Sequence, residues 1–130
     1  MDSPVVLDST ALLALMRGEP GADRVAACLG RALVSTVNLS EVEAALVAAG
    51  LEPRDAAWHI AQLALESVPF DDHLALLAGA LVTATRPLGL SLADRACLAL
   101  AQDRRAAVYT ANPVWRNLPA SLGLEIEVIP

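Results

Sequence analysis

Val5-Val6-Leu7-Asp8-Ser9-Thr10 is the stretch from which the architecture follows. With Pro4 it opens as a short unbroken apolar run, as expected of a strand buried on both faces of a parallel sheet. The run ends on a lone acid, and Ser9 or Thr10 can then cap a helix over residues 11–16. Arg17-Gly18-Glu19-Pro20-Gly21 breaks that helix. The alternation continues downstream. A helix over 22–29 stops at Gly30, a strand covers 32–36, and a helix from Asn38 to about 49 ends at Gly50. Pro53 opens a helix to about 65. Residues 67–70 form a short extended piece that Pro69 restricts to a sheet edge or a link. Asp71 and Asp72 suit the positive end of a helix over 71–85, residues 86–89 make a turn, and Ser91 begins a helix to about 102. Strands are expected over 106–110 and, from its alternation, over 125–129. Short strands interleaved with helices predict an α/β fold with a mainly parallel sheet. No repeat or low-complexity linker divides the 130 residues, which read as one domain over 1–130.

Hydrophobic residues make up 55% of the chain and aromatic residues only 3%. That surplus of small apolar side chains points to a surface patch covered by a partner or a second copy. A membrane span is not expected: the longest uncharged apolar stretch, Leu74 to Thr85, falls short of the roughly 20 residues a spanning helix needs. Met1-Asp2-Ser3-Pro4 carries an acid and no basic segment, unlike a secretory leader. Cys28 and Cys97 lie in separate helical patterns without the spacing of a redox or metal pair, as for thiols in a reducing compartment. A cytoplasmic location is the expectation.

The net charge of −6 argues against indiscriminate nucleic-acid binding. Its distribution matters more. Residues 1–85 hold four Arg and eleven acids, whereas residues 86–117 hold Arg86, Arg95, Arg104, Arg105 and Arg116 against Asp94 and Asp103. The chain has no Lys, so phosphate contacts fall to Arg, backbone amides or a metal.

Three acids, Asp8, Glu41 and Asp94, stand where an apolar run ends or a helical pattern begins. Functional groups in parallel sheets collect beyond the carboxyl ends of the strands. Asp8 follows the first strand, Glu41 falls in the first turn of the helix after the second, and Asp94 opens a helix expected beside the same edge. Asn112 follows the strand over 106–110. Gathered carboxylates repel unless a cation neutralises them, so four such oxygen-bearing side chains suit Mg²⁺ or Mn²⁺. Phosphodiester hydrolysis is the chemistry that fits. Each acid has a plainer reading too. Asn38-x-x-Glu41, Ser40-x-x-Glu43 and Ser91-x-x-Asp94 all match capping boxes, and Asp8 can cap a helix itself.

Val6-Leu7-Asp8-Ser9-Thr10-Ala11-Leu12-Leu13-Ala14-Leu15, Asn38-Leu39-Ser40-Glu41-Val42, Leu90-Ser91-Leu92-Ala93-Asp94-Arg95-Ala96-Cys97 and Val108-Tyr109-Thr110-Ala111-Asn112-Pro113-Val114-Trp115 together resemble the PIN-domain ribonucleases, particularly the VapC toxins of toxin–antitoxin pairs. The resemblance runs over almost the whole chain. It implies a three-layer α/β/α sandwich, metal-dependent endoribonuclease activity on RNA, a homodimer, and inhibition by a cognate antitoxin. Carried over by position, Asp8 and Asp94 would hold the principal Mg²⁺ or Mn²⁺. Glu41 would help bind a second metal or position water, and Thr10 matches a frequent hydroxyl position. The family's fourth acid is Asn112 here, which offers an oxygen without charge.

Arg95 and Arg116 are candidate phosphate contacts, with pairing to an acid and simple solvation as their plainer roles. Trp115 would stack on a base or pack under its loop, and Trp58 would anchor a packing or protein contact. His59 and His73 lie away from the acids. A signalling receiver domain shares the size and the acidic pocket, but it relies on a Lys that this chain lacks. A PIN-like, non-catalytic interaction module with a metal site weakened at Asn112 is the remaining alternative.

Overall fold

β1 (Val5–Leu7) is the middle strand of a five-stranded sheet, and all three of its residues are buried. The computed structural model describes residues 3–130; Met1 and Asp2, part of the stretch read against a leader, lie outside the described residues. From β1 the chain runs through α1 (Ser9–Met16) and α2 (Ala22–Cys28) to β2 (Ala32–Ser35), then α3 (Thr36–Ala48), α4 (Pro53–Ala61) and β3 (Glu66–Val68). It continues through α5 (Asp72–Ala80), α6 (Val82–Thr85) and α7 (Leu92–Arg104) to β4 (Ala107–Thr110) and β5 (Ile126–Val128). The strand order is β3-β2-β1-β4-β5 and every pairing is parallel, with Val5 opposite both Ala32 and Ala107.

Alternation along the strands divides the core into two layers. Val5 and Leu7 of β1, with Ala32 and Val34 of β2, pack against α1 to α4 through Leu12, Val25, Val42, Leu46 and Ala56. Val6, Leu33 and Val108 face the other way onto α5, α7 and Trp115. The three-layer α/β/α sandwich is therefore present. α7 is buried without a break from Ala96 to Leu100 and on to Ala101, as a helix apolar all round must be. Its Ala and Cys side chains let neighbouring backbones approach closely. No helix among the described residues is long and apolar enough to cross a membrane.

Helix boundaries differ from expectation at three places, one of them set by an unexpected cap. Ser35 Oγ accepts the Val37 amide, so α3 begins two residues before Asn38. Glu41 consequently lies in the second turn, and neither Asn38 nor Ser40 makes a capping box. The helix expected over 71–85 breaks at Leu81 into α5 and α6, and α4 stops at Ala61, four residues short.

The chain builds outward from β1 to β3, then crosses back to place β4 on β1's other side. The switch point therefore lies between β1 and β4, beyond whose carboxyl ends ligands collect in open parallel sheets.

Candidate active site

Asp8 stands at that switch point, 2% exposed, and its amide continues the β1–β4 ladder to the Tyr109 carbonyl at 3.2 Å. Both of its carboxylate oxygens accept hydrogen bonds. Oδ1 accepts the Ala11 amide at 2.8 Å, which makes Asp8 the N-cap of α1. Thr110, the buried last residue of β4, donates to Oδ2 at 2.6 Å. Thr10 Oγ1 lies 2.8 and 3.0 Å from the two carboxylate oxygens and itself accepts the Ala111 amide at 2.8 Å. Burial nevertheless dominates: it pushes the Asp8 carboxyl up from 3.8 to about 6, against the pull of the bonds from Thr110, Ala11 and Thr10, and the charge of Asp94 adds to the rise.

The other acids stand on two further elements. Glu41, exposed on α3, accepts the Ser9 hydroxyl through Oε1. Ser9 in turn accepts Asn38 Nδ2 at 3.0 Å. Asp94 closes a capping box at the start of α7: its Oδ2 accepts the Ser91 amide at 2.8 Å while Ser91 Oγ accepts the Asp94 amide. Beneath them lies Cys97. Its fully buried thiol is pushed well up, first by burial and then by the charges of Asp8, Asp94 and Glu41. All three acids are thus within electrostatic reach of one buried point.

Asn112 stands beside the site, its amide bonded to Thr110 Oγ1 at 3.1 Å. Its side-chain Oδ1 accepts the Val114 amide at 3.0 Å and so starts the short 3-10 turn Pro113–Asn117. Arg95 is half-buried and donates to the Ala78 carbonyl on α5 at 3.3 Å. Arg116 is exposed on the turn after Asn112. Trp115 is wholly buried in the core, Trp58 is 59% exposed beside His59, and His73 pairs with Asp103 at 2.9 Å, away from the acids.

Sequence reading gave no role to Thr110 and treated Ser9 and Asn38 as caps. Thr110's signal was its place as the last residue of a strand paired with β1; Asn38's was its position one helical turn before Glu41.

Among the described residues, no three His, Cys, Asp or Glu side chains form a metal cage by themselves. Mg²⁺ rarely needs one, since it keeps several waters and takes one or two carboxylates plus substrate oxygens. The donor set here is all oxygen, and no basic side chain among the described residues pairs with its buried acid. Those two features fit a hard divalent ion.

The chain belongs to the PIN-domain family, whose model matches residues 5–120. Its fold is that of solved VapBC proteins. A chain of the DNA-bound VapBC from Salmonella typhimurium is 19% identical, with a TM-score of 0.74 and 98% of each chain covered. One from VapBC2 of Rickettsia felis, bound to a promoter DNA fragment, is 16% identical with a TM-score of 0.72, covering 97% of this chain and 98% of that one. One from VapBC-5 of Mycobacterium tuberculosis, a toxin–antitoxin system, is 20% identical with a TM-score of 0.63, covering 98% and 99%. Comparison with curated proteins gives no match by sequence.

Proposed function

We propose that this protein is a divalent-metal-dependent endoribonuclease that hydrolyses RNA phosphodiester bonds as the toxin of a toxin–antitoxin pair, the whole chain acting as one unit. One observation carries the reading: in a PIN domain, a buried, hydrogen-bonded Asp8 stands at the sheet's switch point with Asp94 in electrostatic reach. Asp8 and Asp94 would hold Mg²⁺ or Mn²⁺. When bound, such an ion acidifies water and offsets charge on the scissile phosphate.

The remaining work belongs to the chain. Thr10 and Thr110 fix both oxygens of Asp8, so no side-chain rearrangement is needed at the moment of reaction. Glu41, its carboxylate held by the Ser9 hydroxyl, stands at the solvent rim to orient water. Asn112 adds a neutral amide beside Thr110. Thr10, Arg95 and Arg116 are the proposed contacts to substrate phosphates, and exposed Arg116 is the most free to follow an RNA backbone. The rim is open rather than enclosed, with Thr10 and Glu41 exposed and Asp94 half-buried, which suits a polymer.

The exposed apolar side chains Trp58, Leu76 and Leu92 support a cognate antitoxin and a second copy of the chain as partners. The free buried thiols Cys28 and Cys97 suit the cytoplasm. A non-catalytic interaction module is the second reading, favoured by Asn112 Oδ1 already serving the Val114 amide.

Cleavage of a mixed RNA substrate with Mn²⁺ by the wild type, and its loss in Asp94→Asn, tests the choice. Full activity in the variant would overturn the nuclease reading. Absence of both cleavage and calorimetric Mn²⁺ binding in the wild type would favour the module.

A further inference from the structure

Asn38 is a fully buried polar side chain that bridges elements outside its own helix. It is 0% exposed, on the buried side of α3, one turn before Glu41. Its Nδ2 makes two bonds to two other elements: to Ser9 Oγ at 3.0 Å, at the start of α1, and to the Ala93 carbonyl at 3.3 Å, in the first turn of α7. Ser9 follows Asp8 and Ala93 precedes Asp94, so one amide ties together all three junctions that carry an acid. The assignment of its nitrogen follows from chemistry, because a carbonyl only accepts and the group facing Ala93 must donate.

The direction of the chain of bonds follows from this. Ser9 Oγ accepts from Asn38, which leaves its single hydrogen for Glu41 Oε1. Without Asn38, the Ser9 hydroxyl is free to turn away and Glu41, exposed on its helix, loses its one hydrogen-bond partner among the described residues. Asn38 is moreover a poor choice for packing. Its Oδ1 is buried with no partner among the described residues, a burden that an apolar side chain would not carry. A position filled for packing alone favours the apolar residue.

We infer that Asn38 is a positioning residue: through Ser9 it directs Glu41, and through Ala93 it holds the start of α7, keeping Glu41 and Asp94 in register with Asp8. The catalytic part of this inference rests on the nuclease reading; the positioning part does not.

Asn38→Leu is the test, with Ser9→Ala breaking the same chain at its next link should the first fail to fold. Steady-state RNA cleavage with Mn²⁺ should show kcat reduced roughly 10- to 100-fold with KM within about twofold, the usual effect of removing a group that orients a ligand. In a Glu41→Gln background the same substitution should have a smaller further effect, since its route through Glu41 is cut while that through Ala93 to the start of α7 remains. A crystal structure of Asn38→Leu should show Glu41 released from Ser9. Unchanged kcat, full additivity with Glu41→Gln, or a Glu41 still bonded to Ser9 in that crystal would each overturn the inference. A wild type that cleaves no RNA would overturn the nuclease reading instead, and the crystal alone would then decide the positioning.

Discussion

Replacing Asp8 by Asn should make the protein more stable and inactive at once. The buried carboxyl titrates at about 6 instead of 3.8, so the folded state holds its proton more tightly than the unfolded chain does. For a group whose pKa is raised on folding, stability is greatest below the unfolded value and falls as pH rises through the folded one. Above pH 7 both states are ionised, and the gap between 3.8 and about 6 corresponds to about 3 kcal/mol of destabilisation in the metal-free protein. Asn copies the neutral acid. Its oxygen can keep the Ala11 amide, while its nitrogen faces Thr10 and Thr110, whose hydroxyls rotate and can accept.

The difference between Asp8→Asn and wild type should therefore approach 3 kcal/mol at pH 8 and vanish toward pH 4. Other acids titrate in both proteins and cancel. The assay is urea unfolding with a chelator at both pH values, followed by the fluorescence of buried Trp115. Mn²⁺ at 100 times its Kd should return about 2.7 kcal/mol to the wild type and nothing to the variant. A difference that does not change with pH, or a variant less stable than wild type at pH 8, would refute the reasoning from burial.

Four further outcomes follow from the same geometry. Thr110→Val strips Asp8 Oδ2 and the Asn112 amide of a buried partner, and should lower stability at pH 8 by about 2 kcal/mol in urea unfolding, together with activity. Asp94→Ala should lose about 0.5–1 kcal/mol through the α7 cap alone, whereas Asp94→Asn can still accept from Ser91 and should keep its stability while losing RNA cleavage. Gly21 has φ +95° and an added Cβ would lie 3.0 Å from Ile129 Cβ, so Gly21→Ala should lower stability by about 2 kcal/mol; an unchanged melting temperature would contradict this. Calorimetric Mn²⁺ affinity should fall about tenfold for each pH unit below 6, with proton release, because Asp8 must ionise to bind.

The layers of this fold were legible because Val5-Val6-Leu7 and Ala32-Leu33-Val34 are short apolar runs between helical patterns, and only a doubly covered parallel sheet accommodates them. Helix starts were less so. Ser35 and Asn38 are equally good caps on paper, and the choice fell to Ser35 because Asn38 is drawn into the core by partners on α1 and α7. The candidate acids were legible as residues at strand ends. What the sequence could not display was which partners each would take. Thr110 bonds an oxygen on a residue 102 positions away, and no local pattern announces such a bond. The depth of Asp8, on which its raised pKa depends, is likewise a property of the assembled edge.

Capping and chemistry, set against each other as readings of the acids, turn out to be compatible at the level of single oxygens. A carboxylate offers about four acceptor positions, and a cap uses one. Asp8 Oδ1 accepts the α1 amide and Oδ2 accepts Thr110, with Thr10 against both; Asp94 Oδ2 accepts the Ser91 amide, and its Oδ1 has no partner among the described residues. The cap fixes a carboxylate's orientation at the expense of one lone pair, which leaves the remaining acceptor positions aimed by the helix start itself. An acid placed there needs little further support to present an oxygen to a cation. Glu41, one turn too deep to cap, has no such anchor, and it is the one acid whose hold comes from a relay of side chains through Ser9 and Asn38.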